Sequence, residues 1–126
     1  MLKTNTILFL VALSILAGVH MIALELFLYW RYLWLDVPVH VLGGIVVVLG
    51  AYTFNELKLP LAHFLVASFK HTIIFVVIVM IAWEVFEVWA GNPIMDNYIF
   101  DTTIDLIAGL TGGLIGYFLA KRMQTL

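Results

Sequence analysis

The sequence predicts an all-α protein: a four-helix transmembrane bundle filling a single domain over residues 1–126, with two tandem helix hairpins as a further order within it. Composition is the first observation behind this. Of the 126 residues 64% are hydrophobic and 11% charged, where a soluble domain of this size is about half apolar. The second is a set of apolar runs that place spans at roughly 6–30, 37–54, 71–90 and 102–120. The third is the segregation of charge to the ends of those runs, basic residues at one end and acidic ones at the other.

The first run, 6–30, is about 37 Å long if helical, enough to cross a bilayer. Lys3 ahead of it imitates a signal peptide, but the run outlasts an ordinary leader and lacks a clear small-residue cleavage site before a polar chain. It is read as a retained helix. Tyr29, Trp30, Tyr32 and Trp34 form an aromatic belt at its far end, with Arg31 among them. Asp36-Val37-Pro38 then reads as a helix start, Asp as N-cap and Pro in the first turn. Gly43-Gly44 and Gly50-Ala51 give that second helix a small face for close contact.

Asn55 to Lys58 is a polar turn. The apolar stretch that follows, from Pro60 to Trp89, would be about 45 Å as one helix, too long for an untilted span. A short interfacial helix over 60–70 and a third span from about His71 resolve this. A turn at Gly91-Asn92-Pro93 leads toward a fourth helix from Asp101 to Ala120, closed by Lys121-Arg122. Lys3, Lys58, Lys70, Lys121 and Arg122 fall on one side and only Arg31 on the other. By the positive-inside rule both termini are cytoplasmic in the cell membrane. Seven of the eight acids then lie toward the outer face: Glu25, Asp36, Glu84, Glu87, Asp96, Asp101 and Asp105.

The halves resemble each other. Glu25, Phe27 and Trp30 are in step with Glu84, Phe86 and Trp89. Asp36, Gly44, Leu49 and Tyr52 are in step with Asp101, Gly109, Leu114 and Tyr117. Two helices per half preserve orientation, so the axis relating them lies along the membrane normal. The same alignment pairs His40 with Asp105 and gathers the acids around that axis.

Those acids carry the chemistry. Asp36/His40 and Asp101/Asp105 are i, i+4 pairs and Glu84/Glu87 an i, i+3 pair, so each shares a helix face near the outer boundary. Carboxylates in hydrocarbon are costly and need something to face. A divalent cation would suit a set of His40, Glu84, Glu87, Asp101 and Asp105, with Asp36 and Glu25 in support of ligand binding. Several carboxylates and one imidazole fit Mn, Fe, Zn, Mg or Ca. Protons could neutralise the same groups, as in a proton- or cation-coupled transporter. A structural or accessory protein, its aspartates serving as helix caps, is the third reading. An envelope lipid or lipid-linked sugar is a fitting polar partner. The small-residue faces serve contacts inside the bundle or between two copies in a homodimer. With no cysteine, disulfides and thiolate metal sites are excluded. No basic patch points to nucleic acid, and no nucleophile motif or catalytic residue is assigned. His20 reads as a structural histidine in mid-span, and His63 and His71 as interfacial.

With these residues in view, the chain resembles the VanZ-like and YjdF-like small bacterial membrane proteins. The likeness spans roughly residues 34–120. It rests on Asp36-x3-His40 followed by Gly43-Gly44, on Trp83-Glu84, and on Asp101-Thr102-x2-Asp105 before a glycine-rich helix. It differs at Val37-Pro38, where basic residues often follow the first Asp, and at Thr103, where Gln is frequent. The resemblance implies a multi-span protein with outward-facing acidic motifs and a cell-envelope role, and brings no enzymatic activity with it.

Overall fold

In the computed structural model, which describes residues 3–91 and 97–125, helix follows helix and no strand forms among the described residues. The elements are α1 (Thr4–Glu25), α2 (Leu28–Arg31), a 3-10 turn at Leu33–Leu35, α3 (Asp36–Glu56), α4 (Ala62–Leu65), α5 (Phe69–Ala90) and α6 (Tyr98–Gln124). Four of them, α1, α3 with its leading 3-10 turn, α5 and α6, are long and apolar enough to cross a membrane. The chain is thus an all-α, four-helix, multi-pass membrane protein. Asn92, Pro93 and Asp96, part of the turn and of the outer acids expected from the sequence, lie outside the described residues.

Helix ends depart from the apolar runs for local backbone reasons. The first helix stops at Glu25 instead of Trp30, because Phe27 takes the left-handed conformation (φ 53°). The chain then turns into α2, which carries Tyr29 back so that its hydroxyl lies 2.8 Å from Nδ1 of His20. The interfacial helix expected over 60–70 is only the single turn α4. Lys58 and Leu61, on either side of Pro60, both have positive φ and leave no room for more. The last helix starts at Tyr98, not Asp101, because Asn97 caps it by accepting from the backbone N–H of Phe100 at 3.2 Å. Gly91, at φ 75°, ends α5 in the left-handed cap that favours glycine.

The core is the seam between α3 and α6, the most extensive contact in the bundle. Glycines make it possible. A Cβ on Gly44 would collide with the Gly109 carbonyl, and one on Gly112 with the Val41 carbonyl. One on Gly116 would come within 3.1 Å of the Ile45 Cα. Small residues of this kind drive helix association where lipid removes the hydrophobic incentive. From α5, Met80 and Val76 fill the space over Gly109 and Gly113, completing a cluster with Val48, Leu49, Tyr52 and Ala120. The helices α3 and α6 run parallel, since His40 lies by Asp105, Gly44 by Gly109 and Tyr52 by Tyr117 in the same order along both. These are the positions that the internal alignment equates. α1 is peripheral, resting on α3 with most of its apolar side chains exposed.

Candidate functional site

The parallel α3–α6 seam brings acidic side chains to one end of the bundle, around His40. This histidine is one turn into α3 and 3% exposed. Asp36, a turn earlier on the same face, places Oδ1 3.5 Å from His40 Nε2. Asp105 comes from α6 and places Oδ2 4.0 Å from the same nitrogen. Glu84 comes from α5, its Oε1 3.9 Å from the other ring nitrogen, Nδ1. Three helices therefore converge on one imidazole.

The burial of these groups is deep and their partners are few. Asp105 is 2% exposed and Glu84 7%. Glu84 Oε2 accepts a hydrogen bond from the Thr102 hydroxyl at 3.1 Å, which ties α5 to α6. Its Oε1 is buried without a hydrogen bond, and so is His40 Nε2. Among the described residues no lysine or arginine pairs with Asp36, Glu84 or Asp105. The separations around His40 are too long for good hydrogen bonds. An unmet polar atom at such depth costs about 1–3 kcal/mol, more if charged. Of the three carboxylates against His40, Asp36 is the most open, its side chain 28% exposed.

Two overlapping groups could hold a metal ion: Asp36, His40 and Asp105, and His40, Glu84 and Glu87, with ligand atoms in each within 4.8 Å of one another. Asp101, half-buried a turn before Asp105, belongs to neither group, and nor does Glu25. Glu25 is exposed at the end of α1, since the helix stops there, whereas α5 carries its aligned mate Glu84 inward. The capping expected of the two aspartates is not what they do. Asp36 is the first residue of α3, whose N-cap, Leu35, makes no side-chain bond. Asp101 is already inside α6, behind Asn97. Asp105 accordingly sits two turns into that helix.

Two features escaped the sequence. Tyr29, read as a belt residue, turns back to His20 and neighbours Asp36 and Glu87 electrostatically. Burial, and then those two carboxylates, push its hydroxyl up to about 12, so at neutral pH it keeps its proton and can donate to Nδ1 of His20. At the opposite end of the bundle, buried Asn5 donates to Glu56 at 2.9 Å and links α1 to α3. No apolar period announces either pairing. No family model matches the chain, and no curated protein or solved structure matches it.

Proposed function

We propose that this membrane protein holds one divalent cation at Nε2 of His40, with Asp36 and Asp105 as its carboxylate ligands. Glu84, on the Nδ1 side, is the carboxylate that orients the ring, an arrangement metal-ligating histidines commonly use. Asp101 and Glu87 add negative charge nearby. Imidazole with carboxylate oxygens suits Zn, Mn or Fe better than Ca or Mg. The observation that carries this reading is the bare Nε2: buried, without a hydrogen bond, between carboxylate oxygens 3.5 and 4.0 Å away. Metal–nitrogen and metal–oxygen bonds of about 2.0–2.2 Å each would bridge such gaps.

Asp36, the exposed member, marks the open side, where an oxygen of a polar ligand could complete the coordination. With both termini cytoplasmic, as the basic residues favour, that side faces outward and the ligand belongs to the cell envelope.

The test is metal analysis of protein purified without chelator, joined to thermal unfolding with and without EDTA. One equivalent of metal is expected. EDTA should lower the midpoint of wild type by about 5–10 °C, the effect of removing a ligand held well above its Kd. Asp105→Asn should bind less metal and respond less to EDTA. Metal-free protein with the same midpoint in all four samples would discard the cation, leaving proton- or cation-coupled transport or a scaffolding role.

A further inference from the structure

A second feature converges on His40. Between α1, α3 and α5 lies a cavity of about 250 Å³, walled by Leu13 and Leu16 from α1, Val46 from α3 and Val79 from α5. Its only polar side chains able to hydrogen-bond are His20 and His40, apart from the indole of Trp83. α1 packs on α3 but makes no substantial contact with α5, so the groove opens between them, past partly exposed Leu13, onto the lipid-facing surface. The ring of Trp83 meets His20 edge-on at 5.7 Å and joins α1 to α5 beside the groove. Gly43 forms part of the wall, and a Cβ placed on it would meet nothing within 4 Å.

We infer that this groove seats one hydrocarbon chain of a bilayer lipid, so that the lipid's head group is delivered sideways to His40. The inference rests on the cation reading of His40 for the role of the head group, and on the groove alone for the chain. The occupant follows from the walls and their surroundings. An apolar cavity does not hold water. The groove is continuous with the lipid-facing surface of a four-span protein, where the only neighbouring solvent is hydrocarbon. The walls carry no charge, which matches an alkyl chain and no other part of a lipid. On the His40 side of the lining the chemistry reverses within one helical turn, from Gly43 to His40 and its carboxylates. Three carboxylates, Asp36, Glu84 and Asp105, exceed the charge of one divalent cation. A head group bearing hydroxyl or ammonium donors therefore fits better than a second anion. The site thus takes a membrane lipid as its ligand, reached from within the bilayer.

Gly43 supplies the means to test this, because a Cβ there meets nothing within 4 Å and Gly43 is not itself one of the proposed ligands of the cation. The probe is phosphatidylethanolamine carrying a diazirine near the end of one acyl chain, in vesicles with wild type, Gly43→Leu and Leu13→Trp. Crosslinked positions are mapped by peptide sequencing, and metal content is measured on the same samples. Wild type should crosslink at Leu16, Val46 and Val79 several-fold more than at Ile78 or Ile115 on the outer faces. Each filling substitution should cut groove labelling about tenfold and leave metal content unchanged. Leu13→Trp stands in if Gly43→Leu does not fold. Equal labelling of groove and outer faces, or of wild type and both filled variants, overturns the inference whatever the metal content. Groove labelling that persists in metal-free protein, and falls in the filled variants, keeps the lipid seat and removes only the cation.

Discussion

The two halves of the bundle agree along one pair of helices and part company along the other. Where α3 meets α6, aligned residues face one another: Gly44 with Gly109, Tyr52 with Tyr117, and His40 with Asp105. Where α1 and α5 should correspond, they do not. α1 breaks after Glu25 and leaves that carboxylate exposed; α5 continues to Ala90 and turns Glu84 into the cluster. The agreement builds a seam and the divergence builds a site. Two aspartates or two histidines facing each other at 40 and 105 would repel when charged. A histidine against an aspartate, with the Glu84 carboxylate from one side only, makes an asymmetric group on a nearly symmetric support.

The seam is the part of this comparison whose loss should be largest. Gly112→Ala puts a methyl group into the Val41 carbonyl, a backbone atom that cannot swing aside. Overpacking of this kind costs about 1–3 kcal/mol, and Gly44→Ala, against the Gly109 carbonyl, should cost as much. Gly18→Ala meets nothing within 4 Å and should be neutral or stabilising by up to about 1 kcal/mol, from helix propensity. Unfolding midpoints in detergent compare the three. Similar midpoints for Gly18→Ala and Gly112→Ala would mean that α3 and α6 do not approach as closely as the glycines require.

Next in size is the contrast between aligned glutamates. Glu84→Gln removes the charge beside Nδ1 while keeping an oxygen for the Thr102 hydroxyl. Losing the carboxylate behind a metal-bound histidine weakens metal binding about 10–100-fold. Glu25→Gln, at an exposed helix end, should leave affinity unchanged. Competition against a fluorescent zinc chelator reads both. If the two substitutions act alike, the halves are functionally equivalent and the break after Glu25 has no bearing on the site.

How much of this the sequence disclosed follows from what each signal measures. Apolar runs count residues that prefer hydrocarbon, so four spans were legible. Leu26 to Trp30 is as apolar as what precedes it, and the run therefore gave no sign that Phe27 would turn left-handed and end α1. Exclusion of Glu25 was hidden for the same reason. The i, i+4 spacing of Asp36 with His40 and the alignment of His40 with Asp105 were readable, and these three lie together. Which ring nitrogen faces which acid depends on helix rotation and a side-chain torsion, and no residue pattern encodes it. Asn97 was legible in principle, since asparagine is among the preferred N-caps; Asp101, an equally good cap four residues later, drew the assignment instead.

That choice of cap yields the smallest expected effect and separates the halves once more. α6 begins at a capped terminus, the Asn97 side chain accepting from the Phe100 N–H, whereas α3 follows directly from a 3-10 turn and has no side-chain cap. If Asn97 is the cap, Asn97→Ala should destabilise the protein by about 0.5–2 kcal/mol. It should do so equally with and without EDTA, because the bond lies outside the group around His40. Asp101→Asn removes a charge from the first turn of α6, where a carboxylate favours the positive end of the helix by about 0.3–1 kcal/mol. It also removes negative charge one turn from Asp105, so its effect should change when EDTA is added. Were Asp101 the cap, the pattern would invert: Asn97→Ala would be silent and Asp101→Ala would carry the larger loss in both conditions. Unfolding of the three variants in paired EDTA-free and EDTA samples therefore decides which residue starts the helix that holds Asp105.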